Sequence, residues 1–550
     1  MIVQRVPSRD TAWDVCVVGC GPVGMAVAEE CARLGLDVLV LESGALDVSR
    51  GMEDVSRAII QDGSSHVPME VAVCRAFGGT SWMWGGRCVP LDDIDFEWRP
   101  HVPHSGWPIS HDALKPWYSG ASQHLLCGSD VFERHPSRLP ENFSEVYIGS
   151  QERWATEPRL AIVHQTRIKE SKKITVCLNS TVTDLRFDEA GATVASVQVR
   201  SANRMEVASA REVVIAVGGV ETARLLLSVQ RNMPSLFGGV GGPLGRYYMG
   251  HISGKIADIE FNEPATAAEF DYVKDRTGAY VRRRFTLTEL AQRNHSLLNT
   301  AFWTDNPPFY DPSHHNAALS AIFLALAFPP IGRRLLAEGT RLYHVGSEPT
   351  RYGRHIRNIV AGGSRGIQDV VALIRDRFLL KPRKPAPLLW NSTGRYALVY
   401  HSEQEPDLQN RVLLANEYDR FGLARATVTL RYAEGEARRV LAAHSVLDFG
   451  LRQSGIARLV YRYPNEELVD RILMQAVDGY HQTGTARMGR DPRTSVVDED
   501  LKVHGVSNLH VASSAVFPTS GQANSTFPAV ALAIRLAHHL RRRRAVTTGV

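Results

Sequence analysis

Three glycines near the start of the chain have the spacing of a loop that binds a phosphate group. Gly19, Gly21 and Gly24 form a G-x-G-x-x-G segment between the apolar run 14–18 and a helix-like segment. The first glycine permits a tight turn, the second lets the backbone approach a pyrophosphate, and the third lets helix pack on strand. The amino terminus of the helix would add N–H donors and the positive end of its dipole.

A carboxylate follows at the distance that a dinucleotide site requires. Residues 37–41 predict a second parallel strand, and Glu42 ends it 23 residues beyond Gly19. There it can accept a hydrogen bond from a ribose 2′-hydroxyl, and an acid disfavours the 2′-phosphate of NADP. Strand, glycine loop, helix and terminal acid together predict adenine-dinucleotide binding. These residues leave FAD and NAD both open.

A second glycine-rich segment, 77–87, holds four glycines and two tryptophans in eleven residues. It suits a backbone that passes close to a flat ligand, and a glycine-rich surface loop is the alternative. Alternating apolar and polar residues predict strands at 174–178, 182–187 and 194–199. Residues 212–217 predict another buried strand, which leads into Gly218 and a helix. Residues 395–400 and 411–414 predict strands in the central region.

Composition and charge exclude several protein classes. With 550 residues, 44% hydrophobic and 22% charged, the chain is an ordinary globular protein and not a disordered, collagen-like or coiled-coil one. Residues 332–385 carry twelve Lys and Arg against four acids. Because neither stacking aromatics nor a known motif accompanies them, no nucleic-acid partner is expected. The stretch favours a solvated helical face or a subunit contact over peripheral contact with an anionic membrane.

The cellular location and the state of the cysteines are predicted from what the sequence lacks. The first residues hold no apolar run of signal-peptide length, which predicts a cytoplasmic protein. The longest apolar run, 317–328, is too short to span a bilayer and predicts a buried element. Seven cysteines without a C-x-x-C pair predict reduced core thiols and no metal site.

Four further segments join the two glycine-rich ones as motifs of a known family: 212–226, 244–251, 479–489 (G-Y-H-Q-T-G-T-A-R-M-G) and 520–528 (S-G-Q-A-N-S-T-F-P). On these motifs the chain resembles the glucose–methanol–choline (GMC) flavoprotein oxidoreductases. The motifs occur in the family's order at both ends of the chain, and the middle third is matched only loosely. The resemblance implies an α/β fold: a discontinuous Rossmann-type FAD-binding domain and an α+β substrate-binding domain built on an antiparallel sheet. The first domain would comprise 10–100, 172–255 and 475–543, and the second 101–171 and 256–474.

In this family the cofactor is FAD, so the resemblance resolves the choice left open by the glycine loop. Met83 stands where some relatives attach FAD covalently through a histidine, which predicts non-covalent binding here. The cofactor-binding residues implied by the family motifs are Gly19, Gly21, Gly24, Glu42, Gly79, Thr80, Gly85, Gly86, Val182, Gly218, Ser514 and Thr526.

The same resemblance implies a catalytic pair, His481 and Asn524, facing the flavin N5. A neutral imidazole is a suitable base for the hydroxyl proton when a hydride leaves an alcohol for the flavin. The amide of Asn524 would donate to the developing alkoxide. The His/Asn pairing resembles the pyranose 2-oxidase and choline oxidase branches.

The expected substrate is a small alcohol derived from a carbohydrate: a sugar, a glycoside or an aminoglycoside-type intermediate of antibiotic biosynthesis. The alternatives are a GMC enzyme of a non-carbohydrate alcohol and a flavin-containing lyase without net redox chemistry. The expected electron acceptor is O2 or a quinone or artificial acceptor, and no local motif chooses between them.

Overall fold

A parallel sheet of six strands carries the glycine loop. The computed structural model describes residues 1–49, 51–136, 139–140, 142–201, 204–335, 345–346, 351–386 and 388–548. In spatial order the strands are Ile2–Val3, Ile174–Cys177, Val38–Leu41, Trp13–Val18, Ala210–Ile215 and Leu509–Val511. Their β-branched and aliphatic side chains are almost all buried, as a parallel sheet covered on both faces requires.

The glycine loop lies where the strand order of this sheet reverses. From Trp13–Val18 the chain passes through the helix Pro22–Arg33 to Val38–Leu41 on one side. On the other side Trp13–Val18 pairs with Ala210–Ile215. The crevice at the carboxyl end of such a central strand is where open α/β sheets bind ligands. Four long helices flank the sheet core: Pro22–Arg33, Leu160–Glu170, Gly219–Asn232 and Thr526–Thr548.

A seven-stranded antiparallel sheet forms the second layer of the molecule. In spatial order its strands are Ala457–Tyr461, His251–Phe261, Arg395–Glu403, Thr300–Asp305, Phe285–Leu287, Val146–Tyr147 and Asn142–Phe143. The helices Glu434–Gln453 and Leu468–Gln475 pack on it around a separate apolar core. The predicted fold class, a Rossmann-type half beside an α+β half on an antiparallel sheet, is confirmed.

Three smaller sheets and several short helices complete the two layers. The sheets comprise Thr181–Phe187, Val194–Ser201 and Arg204–Ala208; Val273–Lys274, Tyr280–Arg283, Gln151–Trp154 and Arg87–Cys88; and Arg411–Tyr418, Ala424–Thr429 and Ile59–Ile60. The short helices are Glu53–Ser56, Met69–Ala72, Asp93–Phe96, His111–Leu114, Tyr118–His124 and Glu289–Asn294. Every strand predicted from the sequence is present within a few residues of its expected bounds.

The domain boundaries stay a prediction. Tyr118–His124 and Leu160–Glu170 contribute to the core of the parallel sheet although both lie in the range 101–171, predicted to belong to the other domain.

All seven cysteines carry free thiols and six are buried, as expected.

Among the described residues, three α-helices lie between the strands Thr300–Asp305 and Arg395–Glu403. They are Ala317–Ala327, Pro329–Leu335 and Tyr352–Ile374, and the first contains most of the predicted buried apolar run. Residues 336–344 and 347–350 of the basic stretch lie outside the described residues. Of the helices that the structure describes, none combines the length and apolar character needed to cross a membrane.

Candidate active site

A cavity of about 1130 Å³ extends from the glycine loop to His481 and Asn524. It brings together all but two of the predicted site residues. Those lining it are Gly19, Gly21, Glu42, Gly79, Thr80, Gly85, Val182, Gly218, His481, Ser514, Asn524 and Thr526. Gly24 and Gly86 do not line the cavity.

The two glycine segments pack against each other and keep the near end of the cavity open. A Cβ on Gly19 would lie 2.6 Å from the carbonyl oxygen of Ala216, and one on Gly79 would lie 2.7 Å from the Cα of Gly21. The helix Pro22–Arg33 begins here with proline in its first turn and no side-chain cap. Its first N–H groups are therefore available, so the cradle fits the pyrophosphate of a dinucleotide.

The two glycines outside the lining have backbone roles. A Cβ on Gly24 would lie 2.1 Å from the carbonyl oxygen of Gly19, so this glycine lets the helix pack against the loop. Gly86 has a φ of +74°, and a Cβ there would lie 3.1 Å from Pro158. It turns the chain into the strand Arg87–Cys88.

Glu42 is buried and holds the loop around it. One carboxylate oxygen accepts a hydrogen bond from the N–H of Cys20 at 2.8 Å, and the other accepts from the N–H of Gly44 at 2.8 Å. Burial raises the pKa of Glu42 above its ordinary value, and the two N–H donors oppose that rise. Since a carboxylate oxygen has two lone pairs, each can still accept from a ribose hydroxyl.

At the far end of the cavity, Asp478 organises the loop that carries His481. Its Oδ1 accepts from the backbone N–H groups of Gly479, Tyr480 and His481 at 2.8, 2.9 and 3.1 Å. Its Oδ2 lies 3.1 Å from Nδ1 of His481. Burial alone would raise the pKa of Asp478, but the neighbouring imidazoles of His481 and His251 hold it well below its ordinary value.

This arrangement determines which nitrogen of His481 carries the proton. An ionised carboxylate can only accept, so Asp478 requires a proton on Nδ1. The lone pair of the neutral ring is then on Nε2, which lies 2.6 Å from Nδ2 of Asn524. Oδ1 of Asn524 is buried without a partner among the described residues. A basic nitrogen and an amide donor therefore meet at one point of the cavity wall.

Two further histidines, which the sequence did not single out as site residues, surround His481. The ring of His251 lies 4.2 Å from that of His401 and 4.7 Å from that of His481. Strand register brings them together, since Ser253 pairs with His401. Burial lowers the pKa of His251. Burial and the neighbouring ring of His251 together hold the pKa of His401 well below its ordinary value.

These rings are therefore neutral, and Nε2 of His401 has no partner among the described residues. Ring nitrogens of the three histidines lie within 4.8 Å of one another, so the expectation of no metal site stays a prediction.

A signal for Asp478 was present in the sequence, because it stands three residues before His481 in D-G-Y-H.

Arg87 is the cation nearest to this end of the cavity among the residues lining it. Its guanidinium pairs with Glu152 and lies 4.2 Å from the ring centre of Trp303. Burial lowers the pKa of Arg87 to about 10. The indole of Trp303 in turn lies 6.1 Å from the ring of His401.

Comparison with known proteins decides the family. A family model described as FAD dependent oxidoreductase matches residues 14–327, and one described as GMC oxidoreductase matches residues 410–533. The chain is an FAD-dependent oxidoreductase of the GMC family. The two matches contain the glycine loop and the His481/Asn524 segment respectively, so the resemblance seen in the sequence is confirmed, including its assignment to the FAD oxidoreductases that act on alcohol groups.

Similarity to individual proteins is more limited. Over 138 residues this GMC oxidoreductase is 37% identical to the fructose dehydrogenase large subunit of Gluconobacter japonicus, a match covering 24% of the chain and 22% of that protein. It is 23% identical to paromamine 6′-oxidase of Streptomyces fradiae, over 96% of the chain and 91% of that protein. The fold is similar to pyridoxine 4-oxidase from Mesorbium loti, with a TM-score of 0.52 and 15% identity over 96% of this chain and 99% of that one.

Proposed function

We propose that this GMC oxidoreductase binds FAD non-covalently and oxidises a hydroxyl of a neutral carbohydrate-type substrate, with His481 as the base. The observation that carries the proposal is the array Asp478–His481–Asn524 at the far end of a glycine-lined cavity. A buried anion, an imidazole with its lone pair directed at the cavity wall, and an amide donor are the groups that an alcohol oxidation requires.

The cofactor would lie along the cavity from Glu42 to His481. The glycine cradle and the uncapped helix Pro22–Arg33 would hold the pyrophosphate, and Glu42 the ribose. When bound, FAD accepts the hydride that leaves the carbon bearing the hydroxyl. Met83 lines the cavity, and a thioether forms no bond to a flavin, which supports non-covalent attachment.

The protein's own residues manage the proton. The substrate hydroxyl would replace the Nδ2–H of Asn524 as the donor to Nε2 of His481, and Nε2 then takes its proton. The charge that appears on the ring is stabilised by Asp478 through Nδ1. Nδ2 of Asn524 is positioned to donate to the oxygen that has lost its proton. His251 and His401 stay neutral beside the cation because their pKa values are lowered, so no like charge opposes proton uptake.

Charge in the cavity favours a neutral substrate over a polycationic aminoglycoside. The acids that line the cavity, Glu42, Glu221 and Asp419, lie at the cofactor end, where Glu221 and Asp419 pair with Arg75 and Arg224. At the far end the lining contains Arg87, which pairs with Glu152, and no carboxylate of the described residues lines it, since Asp478 lies behind His481 and is engaged by it. Asp92 and Asp95 do not line the cavity, and both accept hydrogen bonds from Asn299.

An anaerobic screen tests the proposal directly. Neutral sugars and glycosides, paromamine, methanol, choline and an aryl alcohol are added to the holoenzyme, and the flavin absorbance is followed. We expect a neutral sugar or glycoside to reduce the flavin fastest. Reduction by simple alcohols alone would refute the carbohydrate assignment, the fastest reduction by paromamine would refute the charge argument, and no reduction by any alcohol would favour a lyase.

The same preparation tests the cofactor and the acceptor. Acid precipitation should release all of the flavin into the supernatant, and flavin retained by the precipitate would refute non-covalent binding. Reoxidation of the reduced enzyme by O2 or by a soluble quinone then identifies the electron acceptor.

A further inference from the structure

The helix Tyr352–Ile374 turns its polar side toward the protein. Nδ1 of His355 lies 3.1 Å from Oγ of Ser320, and Nδ2 of Asn358 donates to the carbonyl oxygen of Pro312 at 2.8 Å. The glycine at 362 lets the helix approach closely, since a Cβ there would lie 2.3 Å from the Cβ of Ala317. Up to Gly362, the side facing the protein is thus made of hydrogen-bonding and small residues, and beyond the bend Val370 packs against the small apolar cluster of Ala318 and Leu319.

The opposite side of this helix is apolar and exposed. Its large aliphatic side chains are exposed by 54% (Ile356), 76% (Val360), 68% (Ile367), 58% (Val371) and 46% (Ile374). Before the bend at Gly363, Ile356 and Val360 are four residues apart and share one face. After it, Ile367, Val371 and Ile374 follow at spacings of four and three and also share one face. A surface helix of a globular protein has the reverse polarity, with the apolar stripe inward.

Exposed apolar side chains also occur on the segments before and after this helix in the sequence. Phe328 is exposed by 56%, Ile331 by 48% and Leu379 by 72%. We call the exposed side chains of Phe328, Ile331, Ile356, Val360, Ile367, Val371, Ile374 and Leu379 the insert face. Scattered exposed aliphatic residues need no explanation, but five large aliphatic side chains exposed along one helix mark an interaction surface.

Positive charge surrounds the insert face. Residues 351–386 contain nine Lys and Arg against two Asp. Arg351, Arg354, Arg357, Arg375, Lys381 and Arg383 are exposed. An apolar stripe bordered by arginines is the composition of a helix that lies in the plane of a membrane interface, with its aliphatic side chains among the acyl chains and its cations at the headgroups.

We propose that the insert face docks this enzyme on the surface of an anionic phospholipid bilayer. The charge excludes two other occupants. In a symmetric dimer through this face, the arginines of one copy would meet those of the other. A nucleic acid would neutralise the arginines but would leave the central aliphatic stripe against phosphates. A bilayer with anionic headgroups satisfies both the apolar and the charged parts.

Sedimentation with lipid vesicles tests the proposal on the full-length holoenzyme. We expect binding to vesicles of phosphatidylcholine mixed with phosphatidylglycerol, weaker binding to phosphatidylcholine alone, and release at high salt, because exposed charges are screened. Val360→Asp/Ile367→Asp should lower the partition coefficient by about 10-fold or more, since burial of even one such aliphatic side chain contributes at least that factor. FAD content and flavin reduction should stay unchanged, which would show that the variant is folded.

A matched control is available on the strand Arg204–Ala208, where Met205 and Val207 are exposed by 62% and 56%. Met205→Asp/Val207→Asp introduces the same charge and should leave vesicle binding unchanged. Absence of binding to the anionic vesicles, equal binding to both kinds of vesicle, or equal losses in the two double variants would overturn the proposal. A dimer that Val360→Asp/Ile367→Asp dissociates, without vesicle binding, would assign the insert face to a second copy of the chain.

Discussion

The two ends of the cavity are built in different ways. At the cofactor end, the cavity wall is made largely of main chain: the turn at Gly19 and the approach of Gly79 to Gly21 leave no room for a Cβ. At the far end, the chemistry belongs to side chains from separate elements. His251 and His401 come from neighbouring antiparallel strands, and His481, the proposed base, comes from a loop after a helix.

This difference has a consequence for charge as well as for position. The cofactor end offers backbone N–H groups and three lining carboxylates, two of them paired with arginines. The far end relies on one ionised carboxylate, Asp478, surrounded by imidazoles whose lowered pKa values keep two of them neutral. Substitutions at the far end should therefore change the rate of flavin reduction, and those at the cofactor end should change the affinity for FAD.

Replacement of the base should have the largest effect. In His481→Ala the hydroxyl proton has no acceptor, and general base catalysis contributes about 100- to 10,000-fold. Stopped-flow measurement of flavin reduction at saturating substrate should record a loss in that range with unchanged FAD content. His504→Ala, in the same carboxy-terminal segment but hydrogen-bonded to Ser495, is the control and should keep the wild-type rate. A wild-type rate in His481→Ala would mean that another group is the base.

Removal of the amide donor should lower the rate of flavin reduction less than removal of the base. Asn524→Ala leaves His481 and Asp478 in place but removes the donor to the developing alkoxide, an effect we expect near the lower end of the ~100- to 1,000-fold range for such donors. Asn524→Gln should recover part of the loss because it restores an amide. If Asn524→Ala weakens FAD binding and leaves the rate of flavin reduction unchanged, Asn524 serves to bind the cofactor, like the residues at the cofactor end of the cavity.

Neutralising the carboxylate behind the base should have a smaller effect again. Asp478→Asn removes a hydrogen bond to a charged group, worth about 1.5–3 kcal/mol, so the reduction rate should fall by about 10- to 150-fold. Because the pKa of Asp478 is held well below its ordinary value, the carboxylate stays ionised throughout the pH range in which an aspartate ordinarily titrates. It should therefore not titrate near neutral pH.

The pH profile separates a positioning role from a structural one. Since only neutral His481 accepts a proton, the wild-type reduction rate should rise with pH through one ionisation. Loss of the Asp478 charge removes support for the imidazolium, so the midpoint in Asp478→Asn should move to lower pH. A purely structural defect would lower the rate at every pH without moving the midpoint, and a wild-type rate that falls as pH rises would make the essential group an acid.

The same contrast explains how much the sequence could predict. Gly19, Gly21 and Glu42 belong to one short unit whose spacing carries its own geometry, so the cofactor end was predictable residue by residue. His481 and Asn524 were found only through family motifs, because an isolated histidine is usually structural. His251 and His401 stand 150 positions apart and meet through strand register, which no local pattern encodes. The outward apolar side of Tyr352–Ile374 was also hidden, because periodicity gives the faces of a helix but not which one faces the core.

The smallest effect is expected at the cofactor end, from Glu42→Gln. The amide replaces a charged acceptor by a neutral one, and its NH2 group would oppose the N–H of either Cys20 or Gly44. The difference between charged and neutral hydrogen bonds, about 1–1.5 kcal/mol, corresponds to a Kd for FAD raised by about 10-fold. Fluorescence titration of the apoprotein with FAD measures this change.

Glu30→Gln is the matched control, because Glu30 lies on the helix Pro22–Arg33 that follows the glycine loop, pairs with Arg33 and does not line the cavity. It should leave the Kd unchanged. Once Glu42→Gln is saturated with FAD, its flavin should be reduced at the wild-type rate, because no group of the far end has changed. A reduction rate that falls with saturated flavin would mean that Glu42 also positions the reacting end of the cofactor, and the separation between the two ends of the cavity would not hold.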